Sequence, residues 1–425
     1  MKQRKVLTEE ERNQAYKHDM QKFAWVSVLG IATGAVSGFV GTVFAMCITA
    51  AVGFRDEYPW LLYLMPLGGL VIVWMYQKYS NPGNAIHGTD LVIDSIQSSE
   101  PLPKRIVPLI FSGTVITQLF GGSAGREGAA LQIGGGIASW LGYIFKRNRR
   151  EIHIMTICGM AGCFTALFGT PITAAVFAME VATVGVLQYT AILPCTLACF
   201  TAFIISQQMG EPVTAYALSS IPSLDLLTAG KVVLLAAVCG LAAMLFCYIS
   251  HQTSHIMQKK FRNPYIRVIV GGCAVTALIM IFGNTYSGAG GALIDNAILR
   301  GTADPWGWIV KMLLTAITLE AGFKGGEIVP AFSVGATLGC VASMIFGLDP
   351  SFGAALGFVC LFCGITNCPL ASLILSAEVF GVSGSLYFML AVAVSYILSG
   401  YTSVYSRQTF ESGALNEVIN KSQLK

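Results

Sequence analysis

Residues 121–136 have the sequence GGSAGREGAALQIGGG, in which Arg126 and Glu127 stand side by side among glycines. The chain around this stretch avoids charge, since 54% of its 425 residues are hydrophobic and only 11% are charged. A soluble domain usually has about 25% charged residues. An ionisable residue within a membrane segment is costly, and it marks a candidate functional site. The stretch therefore indicates a membrane protein and marks a candidate functional site within it.

Apolar runs recur along the whole chain. Many approach the roughly 20 residues that a helix needs to cross a bilayer. A transmembrane β-barrel would need short segments of alternating polarity, which the sequence lacks. We therefore expect an all-α polytopic membrane protein. The apolar runs are 23–53, 61–76, 152–187, 191–206, 232–250, 266–283, 328–347, 352–380 and 387–398.

The distribution of positive charge predicts the topology. Basic clusters lie in the first 22 residues, in 145–153, in 258–267 and at the end of the chain. Positive residues favour the cytoplasmic side, so both termini are expected there. The expected organisation is a cytoplasmic segment 1–22 without signal-peptide features, a transmembrane domain 23–408 and a cytoplasmic tail 409–425. The expected location is the plasma (inner) membrane, and the net charge of +4 indicates no nucleic-acid partner.

The cysteines and histidines give no sign of a metal site or a cofactor. The twelve cysteines lie mostly inside apolar runs, as in CGMAGC (158–163), and packed thiols are favoured over disulfides or metal ligands. Of the five histidines, only His87 lies near a candidate pore loop. We therefore expect no metal, no cofactor and no enzymatic activity, with a membrane-embedded enzyme as a remote alternative.

Two motifs recur in the same order about 200 residues apart. GREGAALQIGG is followed by FGTPITAAVFAMEV, and GGEIVPAFSVGA is followed by ITNCPLASLILSAEVFG. Glu127 and Pro171 are 44 positions apart, and Glu327 and Pro369 are 42 apart. Such paired, glycine- and proline-interrupted segments indicate a transport site where two repeats meet. The pattern alone does not distinguish parallel from inverted repeats.

Each glycine-rich stretch is a break that is followed by a helix. Irregular backbone at membrane depth is tolerated where protein or a watery cavity covers it. The helix that follows presents free N–H groups at its positive end. Two such ends that converge from two repeats form an anion site without a fixed positive side chain. The alternative is that the glycines only permit close helix packing.

These motifs resemble the CLC family of chloride channels and anion/proton antiporters. GREGAALQIGG is similar to the family element G[KR]EGP, and GGEIVPAF stands where the family has GGxFxP. GNTYSGAGGALI (283–294) and SGYTSVYSRQ (399–408) also fit, the second with the pore tyrosine at Tyr405. The resemblance implies an inverted repeat with halves at about 23–207 and 213–408 and with broken helices. It also implies a homodimer with one anion path in each subunit.

Within the family, GFKGGEIVPAFSVGATLG is most similar to the fluoride/proton antiporter branch, in which the second element acquires a glutamate, here Glu327. The first-half anion loop, GSGIP in chloride-selective members, is GNAIHGTD (83–90) here. Neither the usual serine nor the methionine of many fluoride members is present, and His87, Gly88 and Thr89 are the candidates for its tip. Where chloride/proton antiporters often have an inner proton-transfer glutamate, this chain has Val181.

The resemblance suggests a role for each charged residue. A carboxylate at a helix N-terminus competes with an anion for the same N–H donors, and protonation ends that competition. Glu127 would therefore be both gate and proton carrier, and Arg126 would supply counter-charge or hold the loop. The alternatives are a helix-capping carboxylate without a transport role and a plain structural Arg–Glu pair. Glu327 would pass protons on the inner side or brace the pore loop. Tyr405 would donate its hydroxyl to a central anion.

The remaining expectations concern the backbone and the structural glutamates. Glu180 and Glu378 occupy equivalent repeat positions and are expected to accept hydrogen bonds at helix ends, and Glu320 is a structural partner. The leading function is fluoride export by proton antiport across the lipid bilayer. The alternatives are a chloride/proton antiporter and a gated chloride channel of the same fold. The residues expected to bind the anion are Gly125, Arg126, Gly128, Gly326, Ile328, Val329, Tyr405, His87, Gly88 and Thr89.

Overall fold

The computed structural model describes residues 9–79, 88–98 and 102–411. These form sixteen α-helices, three short 3-10 helices and one pair of two-residue strands. Seven helical spans in them are long and apolar enough to cross a membrane, which confirms the all-α polytopic class. The first eight helices are α1 Glu9–Glu57, α2 Met65–Tyr79, α3 Asp90–Ser98, α4 Ile106–Leu119, α5 Glu127–Ile144, α6 Arg149–Phe168, α7 Pro171–Glu180 and α8 Ile192–Gln208. The second eight are α9 Leu226–Lys260, α10 Pro264–Phe282, α11 Gly291–Leu299, α12 Gly307–Ala321, α13 Ile328–Phe346, α14 Pro350–Thr366, α15 Pro369–Phe380 and α16 Ser385–Ser399.

The shorter elements connect these helices or tie the chain's end to the body. The 3-10 helices are Pro59–Leu64, Tyr189–Ala191 and Asn284–Tyr286. Strand β1 (Thr183–Val184) pairs in parallel with β2 (Thr409–Phe410), so the first residues of the expected tail pack on the first half. At the other end, α1 runs without interruption through the expected boundary at residues 22 and 23.

Several helix starts follow local sequence rules, and the two at the glycine-rich breaks do not. Proline occupies the first turn of α7, α10, α14 and α15, where its missing N–H costs nothing. Asn148 and Glu151 form a capping box at the start of α6. By contrast, α5 and α13 begin after Arg126 and Glu327, neither of which caps its helix with its side chain. The N–H groups at these two helix starts are therefore available to other acceptors.

Glycines permit the same close helix contact in both halves. A methyl group built on Gly134 of α5 would collide with the carbonyl oxygen of Gly159 in α6. In the second half, a methyl group on Gly335 of α13 would collide with the carbonyl oxygen of Gly357 in α14. Without side chains at these positions, the backbones of the two helices come into direct contact, as is usual for helix pairs in membranes. Around these contacts, ten of the twelve cysteines are buried as packed thiols.

Two glutamates fix the relation between the halves. The Glu180 carboxylate, at the end of α7, accepts two backbone N–H groups from the first turn of α15, at 2.9 and 3.1 Å. The Glu378 carboxylate, near the end of α15, accepts two from the first turn of α7, at 2.7 and 3.0 Å. Helices whose late glutamates each cap the other's start must run antiparallel. The repeat is therefore inverted, and the expected structural role of both glutamates is confirmed.

Candidate functional site

The two glycine-rich breaks meet at the centre of the molecule. Gly125 N donates to Gly326 O at 2.6 Å, and Gly326 N donates to Gly125 O at 2.9 Å, which forms an isolated antiparallel bridge. Each glycine lies just before the start of its helix, α5 or α13. The bridge therefore brings the positive ends of two helices, one from each half, to one place.

Only glycine fits at several of these positions. A Cβ on Gly128 would lie 2.9 Å from the Cα of Gly326 and 3.0 Å from Oγ1 of Thr89. A Cβ on Gly125 would lie 3.1 Å from Gly326 O and would collide with the carboxylate of Glu127. The missing side chain of Gly128 leaves the backbone at the start of α5 uncovered, whereas the N–H groups of Gly125 and Gly326 are used by the bridge itself. This explains why both breaks are rich in glycine.

Side chains tie the two breaks to the helices behind them. Ser123 N donates to Thr318 Oγ1 at 3.2 Å, and the Ser123 and Thr315 hydroxyls are 3.0 Å apart. Lys324 N donates to Thr117 Oγ1 at 3.1 Å. GGSAG (121–125) has the GxSxG spacing of serine hydrolases, but Ser123 is buried and its hydroxyl is bonded to a threonine. The serine therefore positions the loop, and the geometry shows no activated nucleophile.

Glu127 is fully buried at the junction of the two helix starts. Its Oε2 accepts the backbone N–H of Arg126 at 2.9 Å, and the backbone N–H of Val329 in α13 also interacts with the carboxylate. Oε1 has no hydrogen-bond partner among the described residues. The carboxylate thus takes up N–H donors from both halves while one of its oxygens stays free.

Arg126 lies beside this carboxylate without a tight ion pair. Its Nε is 3.9 Å from Glu127 Oε1, at the limit of a salt bridge. Its Nη2 donates to the carbonyl oxygen of Leu167 at 3.1 Å, which anchors the side chain to the end of α6. The side chain is 26% exposed. Arg126 therefore supplies positive charge to the site while a second contact holds it in place.

A cavity of about 480 Å³ opens beside Glu127. Besides Glu127 and Arg126, its walls include Arg55, Ser287 and Val329. Arg55 is 7% exposed, and its guanidinium donates to Gln118 O at 3.2 Å and to Asp56 Oδ1 at 3.0 Å. The cavity thus reaches Glu127, whose free oxygen is itself buried.

Sequence reasoning missed a buried lysine behind this cavity. Lys311 of α12 is fully buried, and its ammonium donates to the carbonyl oxygens of Tyr286 at 3.0 Å and Gly288 at 2.6 Å. The structure gives it no carboxylate partner among the described residues, and its two carbonyl contacts tie α12 to the 286–290 loop. The signal was present in the sequence, because Lys311 is an isolated charge in the apolar run GWIVKMLLTAITL (307–319).

Glu327 occupies a different position from Glu127, which corrects the register of the repeat. The bridge aligns Gly125 with Gly326, so Arg126 corresponds to Glu327 and Glu127 to Ile328. Glu327 is half-buried, and its carboxylate interacts electrostatically with Glu320 and Asp90. Glu327 is not among the residues that line the cavity beside Glu127. The two glutamates therefore have different surroundings.

Tyr405 is buried near both glutamates. Its ring is 4% exposed, and its hydroxyl has no hydrogen-bond partner among the described residues. The hydroxyl interacts electrostatically with Glu327, Asp90 and Glu127. A buried hydroxyl without a partner costs about 1–3 kcal/mol, which a bound ligand would recover. Tyr405 thus carries a buried hydroxyl that is free to donate to a ligand.

The first-half loop is described only at its end. His87 lies outside the described residues. Gly88 is exposed with a φ of 74°, and Thr89 is buried with its hydroxyl beside Gly128. Thr89 therefore brings a hydroxyl to the start of α5. Val181, which stands where chloride/proton antiporters often have an inner glutamate, is fully buried at the end of α7.

A comparison of the sequence with protein families identifies the fold. The family described as voltage gated chloride channel matches residues 68–400. The chain belongs to the CLC family.

Similar proteins agree with this assignment. A protein named chloride/fluoride channel protein, from Pseudomonas syringae pv. tomato, is 31% identical over 392 residues, which are 90% of this chain and 86% of that protein. An H(+)/Cl(-) exchange transporter of Vibrio cholerae is 23% identical over 86% of this chain and 84% of its own length.

Solved structures share the fold over nearly the whole chain. The crystal structure of a CLC-type fluoride/proton antiporter matches 96% of this chain and all of the other, with a TM-score of 0.86 and 31% identity. A slow cyanobacterial Cl-/H+ antiporter has a TM-score of 0.77 at 18% identity over 94% of this chain and 99% of the other, so it supports the fold alone. The expected CLC-type inverted repeat is therefore confirmed.

Proposed function

We propose that this protein is a secondary active anion transporter that exports fluoride in exchange for protons. The observation that supports it most is the Glu127 carboxylate, buried between two helix starts with one oxygen free. The antiporter of 31% identity and a chloride/fluoride channel protein of equal identity point to fluoride.

In the proposed cycle, one residue links anion movement to proton movement. As a carboxylate, Glu127 occupies N–H donors that an anion would otherwise use. When it accepts a proton, it loses its attraction for these donors and for Arg126, and the anion can take its place. The anion enters from the cavity, and Glu127 gives up its proton when it returns. Glu127 therefore serves as gate and proton carrier.

Protons need a second residue on the inner side. Val181 offers no ionisable group there, whereas Glu327 lies close to Tyr405, Asp90 and Glu320. We assign Glu327 to this inner proton step. The anion path runs past the backbone of Gly125, Arg126, Gly128, Gly326, Ile328 and Val329, and past Tyr405, Gly88 and Thr89.

Fluoride is small and strongly hydrated, so a site must replace its water with close donors. Gly128 leaves the backbone at the start of α5 without a side chain around it, the bridge between Gly125 and Gly326 holds the two helix starts together, and Thr89 and Tyr405 add hydroxyls. The same donors bind chloride, and the Vibrio cholerae relative is named for chloride exchange. A chloride/proton antiporter is therefore the second candidate, and a gated anion channel the third.

The family and the basic clusters support the wider assignment. We place residues 23–408 in the plasma (inner) membrane as two halves, 23–207 and 213–408, with segments 1–22 and 409–425 in the cytoplasm. The protein forms a homodimer with one anion path in each subunit. The cavity beside Glu127 then opens outward, since Arg55 lies in the last turn of α1, far from its charged start.

Efflux from proteoliposomes tests the function. Vesicles loaded with equal fluoride and chloride are diluted into anion-free buffer, and both anions and external pH are recorded with electrodes. We expect fluoride to leave much faster than chloride while protons enter. Equal or faster chloride efflux would remove the fluoride assignment, and fluoride efflux without proton movement would favour the channel.

A further inference from the structure

The chain from 403 to 408, which we call the tyrosine segment, holds Tyr405 without any helix of its own. The last helix ends at Ser399, and no helix occurs between it and the last described residue. The position of the Tyr405 hydroxyl therefore depends on contacts that this segment makes with other parts of the chain. Those contacts decide how firmly the donor is held.

Asp90 holds the residues that directly follow the tyrosine, whereas the Val404 N–H on its other side donates to Ile365 O at 3.0 Å. Oδ2 of Asp90 accepts the backbone N–H of Ser406 at 3.2 Å and the Ser406 hydroxyl at 2.5 Å. Its Oδ1 accepts the backbone N–H of Arg407 at 3.2 Å. Both oxygens are thus used, by the two residues that follow Tyr405 in sequence.

Other contacts hold the end of the segment. The Gln97 amide donates to Arg407 O at 2.9 Å and to Ala182 O at 2.7 Å. The Gln408 amide donates to Val181 O at 2.9 Å and to Thr366 O at 2.8 Å. These bonds hold residues 407 and 408 against α3 and the ends of α7 and α14, whereas Asp90 holds the two residues that directly follow the tyrosine.

Asp90 also belongs to the first-half loop. It is the first residue of α3 and directly follows Thr89, whose hydroxyl lies beside Gly128 at the start of α5. One carboxylate therefore connects two sets of anion donors, the backbone and hydroxyl around residues 89 and 128 and the hydroxyl of Tyr405. A negative charge near an anion path repels the anion, so its presence calls for a compensating role.

We propose that Asp90 is a positioning residue that holds the Tyr405 hydroxyl at a fixed distance from the other donors and so determines anion selectivity. This inference rests on the proposed anion transport. Donors that are held rigidly match one ion size, whereas a mobile donor adapts to a larger ion. Loss of Asp90 therefore weakens fluoride binding more than chloride binding.

The test compares Asp90→Ala and Ser406→Ala with the control Asp94→Ala, which removes a carboxylate one turn further along α3. Concentration-dependent efflux from proteoliposomes gives KM and maximal rate for each anion. We expect Asp90→Ala to raise the fluoride KM and to lower the fluoride-over-chloride ratio by about tenfold each. Ser406→Ala, which keeps the carboxylate, should act in the same direction by about threefold. Asp94→Ala should match the wild type.

Two further measurements separate positioning from charge and from general damage. In a Tyr405→Phe background, Asp90→Ala should have little additional effect, because both changes remove the same donor. Hydrogen exchange of the 406 and 407 amides should accelerate in Asp90→Ala, and Ser406→Ala carries the test if that variant does not fold.

Each contrary result has a distinct meaning. Fluoride efflux by the wild type together with unchanged KM and selectivity in Asp90→Ala and Ser406→Ala would overturn the positioning role alone. Tighter fluoride binding in Asp90→Asn with no change in Ser406→Ala would show that Asp90 acts only by repulsion, which also overturns it. No fluoride efflux by the wild type would overturn the proposed function instead.

Discussion

Replacing Glu127 with glutamine tests the gate most directly, because it preserves the shape of the side chain and removes its charge. The carboxylate accepts the Arg126 backbone N–H at 2.9 Å, and its other oxygen lies 3.9 Å from the Arg126 guanidinium. At an effective dielectric constant of about 20, unit charges at that separation attract by about 4 kcal/mol. Since each 1.4 kcal/mol is a factor of ten, the closed position loses up to about three orders of magnitude in preference.

The amide also cannot take up and release a proton in the working pH range. We therefore expect Glu127→Gln to abolish fluoride-driven proton uptake while the protein keeps its fold. Fluoride efflux should either stop or continue without dependence on pH. The assay records fluoride and pH together in proteoliposomes at several external pH values, and thermal unfolding in detergent reports folding. Glu57→Gln, an exposed glutamate at the end of α1, is the matched control.

Unchanged coupled flux in Glu127→Gln would refute the reasoning and would leave Glu127 as a structural helix-start carboxylate. Loss of all flux together with a large drop in melting temperature would point to the same structural role. Only loss of coupling in a folded protein agrees with a gate. The wild type and Glu57→Gln must couple equally for the comparison to hold.

Three other variants test particular contacts. Glu327→Gln should impair fluoride-driven proton flux more than fluoride affinity measured by calorimetry, and a collapse of affinity would show that Glu327 braces the anion site. Gly128→Ala places a methyl group 2.9 Å from Gly326 Cα, so it should cost about 1–3 kcal/mol of stability and weaken fluoride binding; wild-type affinity would contradict the role of the open backbone. Asp225 caps the start of α9, and hydrogen bonds from the Thr228 hydroxyl and N–H lower the pKa of its carboxyl group. The charged cap therefore stabilises the protein fully above the carboxyl's unfolded-state pKa of about 4. This stabilisation is lost as the pH falls through the lower folded-state pKa. Asp225→Ala should therefore lower the melting temperature at pH 7 and match the wild type near pH 2, and a difference that persists there would contradict it.

The residues that could be predicted from sequence are those that stand out from their neighbours in the chain by charge or by a repeated spacing. Glu127 is recognisable because a charge among glycines in an apolar chain costs free energy, and a role in transport is the usual reason that a membrane protein keeps it. Glu180 and Glu378 are recognisable because they recur at the same distance from a helix-starting proline. In each case, the pattern itself contains the physical reason.

Residues that depend on distant contacts were not predicted. Arg55 is held by a hydrogen bond to the carbonyl oxygen of Gln118, 63 positions away. Asp90 accepts a hydrogen bond from the hydroxyl of Ser406, 316 positions away. No local periodicity reports such pairs. The continuity of α1 was missed for another reason, since its charged first turns form a helix as readily as its apolar ones. The repeat register was misplaced by one residue because two glutamates were matched to each other, whereas the backbone matches Arg126 to Glu327.

That last correspondence bears on how the molecule distinguishes outside from inside. Two inverted halves with identical helix starts would look the same to an ion arriving from either face of the membrane. Here the residue directly before the helix is Arg126 in one half and Glu327 in the other. The first residue of the helix is Glu127 in one half and Ile328 in the other. The backbone around the bridge is the same when viewed from either half. The two faces of the site therefore differ through two side-chain positions in each half, whereas the net direction of exchange follows the ion and proton gradients across the membrane.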